Sequence, residues 1–341
     1  MAYTTIDDPE LYFNTSAVWS GNAGTQTISG IGFQPNFTWI KSTNSTATHY
    51  LFDTVRGATK YIITSETNPE ATSATSLTSW NTDGFVSGSN NNLNGSGRTY
   101  VSWNWKAGTS FTNDASGTGI GSIDSAGSVS TDAGFSIISY TGNNTAGATI
   151  AHGLGVVPSM YIIKNRSAAE PWMVYHQSLG NTKALYLNTT GAAATSAVYT
   201  NNTSPTSSVL SLGNWEGNNG DGNSLIAYCF AEKQGYSKFG SYTGNGNADG
   251  TFVYTGFKPA MVIYKKSSGT ENWFIHDNKR QGFNPDNELL FPDLANAEGT
   301  VNRIDLLSNG FKATTSDGGI NGSGATYIYM AFAENPFVSS S

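Results

Sequence analysis

Gly32-Phe33-Gln34-Pro35-Asn36-Phe37-Thr38-Trp39-Ile40-Lys41 returns as Leu154-Gly155-Val156-Val157-Pro158-Ser159-Met160-Tyr161-Ile162-Ile163-Lys164. It returns again as Gly256-Phe257-Lys258-Pro259-Ala260-Met261-Val262-Ile263-Tyr264-Lys265, with the Pro six positions before the Lys each time. A second block follows in the same order: Asn94-Gly95-Ser96-Gly97 before Tyr100–Trp105, Asn219-Gly220-Asp221-Gly222 before Leu225–Phe230, and Asn321-Gly322-Ser323-Gly324 before Tyr327–Phe332. A third block opens the later copies as Tyr140-Thr141-Gly142-Asn143 and Tyr242-Thr243-Gly244-Asn245, and the first copy, in weaker form, as Trp19-Ser20-Gly21-Asn22. Self-similarity of this kind decides architecture before any local reading does.

Each copy spans roughly 100 residues, the size of a small β-sandwich. The expected division is a first repeat over 1–108, a Gly/Ser/Asp-rich linker or extended hairpin over 109–134, a second repeat over 135–233 and a third over 234–341. Apolar runs are short, aromatic or β-branched, and bounded by Gly, Asn, Asp or Pro, which is the signature of strands joined by turns. In Tyr327–Phe332, alternation sets Tyr327, Tyr329 and Ala331 against Ile328, Met330 and Phe332. Apolar groups on both faces predict a central strand. The glycines of the Asn-Gly-x-Gly segments are read as positions of a tight hairpin turn. The fold class is therefore all-β, as tandem antiparallel β-sandwich repeats of lectin-like or jelly-roll-like form.

The 341 residues are 38% hydrophobic and 12% aromatic but only 12% charged, about half the charged share of ordinary globular domains, so Ser, Thr, Asn and Gly carry solubility. A net charge of −7 leaves no basic stripe for a phosphate backbone, and nucleic acid is not an expected partner. The single Cys229 excludes an intrachain disulfide and lies in an apolar run, where a small buried hydrophobe is expected. No stretch of about 18 apolar residues could span a bilayer, and nothing near Met1 has the form of a secretion signal, so membrane insertion is not expected.

The run from Gly32 to Lys41, then Asp53-Thr54-Val55-Arg56-Gly57, Asp83-Gly84-Phe85 and Trp103-Asn104-Trp105-Lys106-Ala107-Gly108, closely resembles an uncharacterised repeat domain of structural proteins of tailed bacteriophages, common among phages of marine and other aquatic bacteria. The resemblance continues through Tyr236–Asn245 to Ala331-Phe332-Ala333-Glu334-Asn335-Pro336-Phe337. It implies a virion component on the tail or capsid exterior, made in the host cytoplasm and often labelled a tail fibre. Attachment to the host surface follows as the expected role, with capsid decoration as the architectural alternative. The implied partners are other virion proteins, further copies of the chain (a trimer, by analogy) and a host-surface glycan.

His49, His152, His176 and His276 do not superpose between copies, which gives no support to a metal site or a catalytic triad. No catalytic residue, metal or cofactor is expected, and a glycan-degrading enzyme is the least favoured reading. Asp53 with Arg56 and Asp277 with Arg280 share one spacing, read as a local ion pair in preference to a ligand site. Lys41, Lys164 and Lys265 recur at a strand end and admit the same two readings, while Pro35, Pro158 and Pro259 are structural positions of the repeat. The aromatic candidates for stacking on a ligand are Trp80, Trp172, Trp215 and Trp273, which lie in polar surroundings.

Overall fold

The computed structural model describes residues 4–280, 284 and 287–336; Phe337, the last residue of the quoted resemblance, lies outside them. The protein is all-β, built of antiparallel sheets. One strand order occurs three times. In the second repeat an opening strand, Phe135–Thr141, pairs with the closing strand Ser224–Phe230, which pairs with the Pro-to-Lys strand Met160–Asn165, which pairs with Met173–His176. In the third the same roles fall to Ser237–Thr243, Thr326–Pro336, Phe257–Lys266 and Trp273–Asp277. In the first they fall to Phe13–Thr15 with Trp19–Ser20, then Thr99–Trp105, Phe37–Ser42 and Tyr50–Asp53. The broken opening strand there matches the weak opening block in the sequence.

A small second sheet covers each main sheet: Gln26–Ile28 with Leu77–Asn81 and Gly84–Ser87, Thr149–Ala151 with Val209–Ser211, and Phe252–Tyr254 with Ile304–Leu307 and Gly310–Ala313. Each pair encloses its own core, around Tyr100 and Phe85, Leu225 and Leu210, and Tyr327 and Phe311 respectively.

The opposite face of every main sheet is buried too, because the three sheets share a fourth core. Alternation along the closing strands sends Leu225, Ala227 and Cys229 to the local core and Ile226, Tyr228 and Phe230 to the shared one. Tyr327, Tyr329 and Ala331 separate from Ile328, Met330 and Phe332 in the same way. Trp105, Phe230 and Phe332 occupy one register position and meet one another, with ring centroids 6.4 Å, 5.5 Å and 6.0 Å apart for the first–second, first–third and second–third pairs. Three equivalent side chains in mutual contact mark a pseudo-threefold axis through the molecule.

The stretch 109–134 is a hairpin rather than a linker. Thr109–Asn113 pairs with Ser125–Ser130, which adds to the opening strand of the second repeat. Its short helix Ala115–Thr118 is capped by Asp114. Pro35 and Pro158 stand just outside their strands, and Pro259 sits where the register of Phe257–Lys266 shifts, a bulge that tolerates a residue with no N–H.

The two glycine-bearing blocks prove to be one unit. Asn94, Asn219 and Asn321 are fully buried, and each side-chain carbonyl accepts from the backbone N–H of the opening-block Asn, at 3.1 Å from Asn22, 3.0 Å from Asn143 and 2.9 Å from Asn245. A Cβ on Gly21, Gly142 or Gly244 would fall 2.3, 2.3 or 2.4 Å from the carbonyl oxygen of Gly95, Gly220 or Gly322, so only glycine permits this approach. The turns are not hairpins as expected; in the first two repeats a single helical turn, Asn91–Asn94 or Glu216–Asn219, leads into the closing strand.

Candidate functional site at the seams between repeats

The three repeats meet head to tail at three seams, built on one plan. The residue two beyond the recurring Lys offers its carbonyl to a neighbouring repeat: Arg166 accepts from Glu70 N–H at 3.0 Å, Ser267 from Ala193 N–H at 3.0 Å, and Thr43 from Glu298 N–H at 2.7 Å. The last residue of the fourth strand reaches across as well. Asp53 Oδ2 accepts from Tyr228 Oη at 2.8 Å, Asp277 Oδ2 accepts from Trp103 Nε1 at 3.1 Å, and His176 Nε2 lies 3.1 Å from the Tyr329 carbonyl. The ring therefore closes, first repeat to second, second to third and third to first.

Two seams carry the same buried ionic network. Arg56 donates to Asp53 at 2.5 Å and to the Leu51 carbonyl at 2.8 Å, and its guanidinium lies 3.5 Å from Glu70. Arg280 donates to Asp277 at 2.7 Å and to the Ile275 carbonyl at 3.3 Å, and lies 3.4 Å from Glu298. In the first–second seam Arg166 adds bonds of 2.9 and 3.1 Å to Glu70 and one of 3.3 Å to Ser139 Oγ. The Asp-x-x-Arg pairs thus fix the seams and present no surface to a ligand.

The second–third seam lacks this network. His176, Leu179 and Ala193 stand at the places of Asp, Arg and Glu, and Ser267 at the place of Arg166. The His176 imidazole is driven down to about 4 by burial, so it stays neutral where the other seams hold a carboxylate. The space so vacated is open. A depression of about 380 Å³ lies among Leu179, Lys183, Ala193, Ser267, Thr326 and Ile328. Through Ser178 and Ser241 it joins a groove of about 730 Å³ along the third repeat's opening strand, bordered by Ser159, Gln177, Glu232 and Tyr329. Gln177 donates to the Phe239 carbonyl at 2.6 Å, and Glu232 pairs with Lys238 at 2.5 Å.

A second open groove, of about 830 Å³, lies between the 109–134 hairpin and the second repeat. Its carboxylates are engaged by the chain itself: Asp124 accepts from Ala115 N–H, and bonds from Ser116 and Gly117 hold Asp114 below the usual carboxylate range.

The tryptophan expectations are corrected at two positions. Trp172 and Trp273 are 0% and 1% exposed, because each plugs a seam. Trp172 Nε1 donates to the carbonyls of Ile63 and Glu66, and Trp273 Nε1 to that of Tyr186. His49 holds the same register position in the first repeat and accepts from Trp39 Nε1 at 2.9 Å. Trp80 and Trp215 are half-buried; Trp80 packs on its own core, and Trp215 lies against Tyr186 and Tyr199. Neither lies in the open seam. Lys41, Lys164 and Lys265 are fully buried, each ammonium donating to the next residue's carbonyl, at 2.5, 2.8 and 2.6 Å. Burial lowers them to about 7, 8 and 8. These lysines are structural; the seams were missed in the sequence, where their one trace is the Asp-x-x-Arg spacing present in the first and third repeats and missing from the second.

All four histidines are buried, and no group of three or more His, Cys, Asp or Glu is placed to hold a metal among the described residues. Among the described residues no helix is long and apolar enough to cross a membrane. Together these features define a class: a β-sandwich protein whose three units close head to tail around one axis, with ionic networks at two seams and a depression at the third. The chain belongs to the family described as Domain of unknown function (DUF7483), whose profile matches residues 8–336. No curated protein matches it.

Proposed function

We propose that this chain is a structural protein on the exterior of a tailed-phage particle and that it takes part in attachment to the host surface, acting by binding and not by catalysis. The observation that carries the reading is the open, hydroxyl-lined second–third seam in a scaffold whose other two seams are filled by ionic networks. The sequence blocks that resemble phage structural repeats supply the setting, and a surface dominated by Ser, Thr and Asn suits a protein displayed at high local concentration. Its partners in this reading are other virion proteins, further copies of the chain and a host-surface component.

Immunogold labelling of intact particles with an antibody to the chain tests the reading, together with competition of phage adsorption by the purified protein. Label at the tail with loss of adsorption supports it. The pseudo-threefold ring favours one second reading, capsid decoration, because such a body can seat on a threefold position of a head lattice. Label over the head without competition would select that role, and unlabelled particles would sink both.

A further inference from the structure

We propose that the second–third seam binds one neutral saccharide per chain, with its primary subsite between Leu179, Ala193 and Ser178. The proposal rests on the attachment reading and names the ligand class for the same seam.

The case begins with what the other seams contain. At the first–second seam the space beside the closing strand is taken by Arg56, Glu70 and Arg166, and at the third–first seam by Arg280 and Glu298. Leu179, Ala193 and Ser267 replace long charged side chains with short ones, and the backbone bond from Ala193 to Ser267 keeps the seam closed beneath them at 3.0 Å. The result is a depression with a rigid floor, not a gap between loose parts. At about 380 Å³ the depression by itself falls in the range of about 300–1,000 Å³ typical of ligand sites, and the groove of about 730 Å³ extends it.

The lining selects the ligand. Ser178 and Ser241 are exposed hydroxyls able to donate and to accept, whereas those of Ser268 and Thr326 are also bonded within the chain. A sugar ring presents hydroxyls that need both roles at once, and its C–H face needs an apolar surface, which the half-buried Leu179 and Ala193 provide. A ligand carrying a cation would find no carboxylate at positions 176 and 193, and one carrying an anion would find no guanidinium at position 179. Lys183 stands exposed on the rim, and Glu232 in the outer groove is already paired with Lys238. The groove beside Ser237–Thr243 extends the site along one direction, which suits a chain of sugars better than a single ring.

The threefold plan makes the stoichiometry a sharp criterion. Three equivalent seams would give three sites; filled networks at two of them leave one.

The test is calorimetric titration of the full chain with neutral gluco-, manno- and galacto-oligosaccharides, alongside sialylated and uronate-bearing ones. Two variants accompany it. His176→Asp with Leu179→Arg and Ala193→Glu writes the network of the other seams into this one, and Ser241→Trp blocks the groove from an exposed strand edge. The expected result is 1:1 binding of a neutral oligosaccharide, weakened at least tenfold in both variants with the unfolding temperature retained. If the triple variant does not fold, Ser241→Trp decides alone. Preference for an anionic glycan, three sites per chain, or undiminished binding by Ser241→Trp would overturn the assignment. Absence of saccharide binding from a protein that still competes phage adsorption would overturn the ligand class and leave the attachment reading standing; absence of both would remove the two together.

Discussion

Asp53 of the first repeat accepts a 2.8 Å hydrogen bond from the phenol of Tyr228 in the second while holding Arg56 of its own repeat, so one carboxylate serves both a loop and a seam. Asp277 does the same with Trp103 and Arg280. The Asp-x-x-Arg motif thus ties each fourth strand to the neighbouring closing strand.

Removing one member of this buried pair should therefore cost far more than a surface ion pair. Asp53→Ala leaves the Arg56 guanidinium buried without its carboxylate, and a loss of about 3–5 kcal/mol is expected from denaturant unfolding. The second repeat shows how to recover it. Combining Asp53→His, Arg56→Leu, Glu70→Ala and Arg166→Ser copies its neutral solution, and the combination should be more stable than Asp53→Ala alone; a further loss would sink the equivalence of the seams.

Trp105, Phe230 and Phe332 meet on the axis, so truncating any one opens a cavity against all three repeats. Trp105→Ala should cost about 3–5 kcal/mol. Calorimetry should show a single transition for the wild type, since the shared core couples the repeats. Separate melting of three units would contradict that coupling.

Asn219 bonds the Asn143 N–H and the carbonyls of Thr145 and Gly213 from a fully buried position. Asn219→Ala strands these groups and should cost about 1–3 kcal/mol for each one left without a partner. Hydrogen exchange offers a local check: protection at Asn143 should fall before that of the closing strand.

Stability should rise with pH between about pH 7 and 8.5. Burial holds Lys41, Lys164 and Lys265 near 7, 8 and 8, whereas the unfolded chain keeps them protonated to about 10.4. In that window the unfolded state binds more protons than the folded state, so deprotonation favours folding. Above it Cys229 opposes the trend, because burial keeps its thiol protonated in the fold. Replacing the three lysines with Met should flatten the slope of unfolding free energy against pH; an unchanged slope would assign the effect elsewhere.

Much of the fold was legible in the sequence. The recurrence of Pro35–Lys41, the two-faced pattern of Tyr327–Phe332 and the glycine blocks fixed the class, the repeat order and the broken first strand. Hidden from it were the partners of those faces. Trp172 and Trp273 looked like ligand aromatics because their neighbours in the chain are polar, while their neighbours in space are the backbone carbonyls of another repeat. For 109–134 the sequence left linker and hairpin both open, because a strand that adds to an existing edge needs little apolar pattern of its own.

The candidate site was less legible still, since it consists of side chains that are small where their counterparts are large. Periodicity, turn chemistry and composition act over short stretches of chain, and from them the sequence by itself determined three all-β units, a charge-poor surface and a buried lone thiol. Only the tertiary structure decided that the units share a core, that they close into a ring and that the second–third seam has a depression where the other two carry ionic networks. Those outcomes depend on contacts between residues some hundred or more positions apart, such as Asp53 with Tyr228, and no local pattern encodes which apolar face meets which.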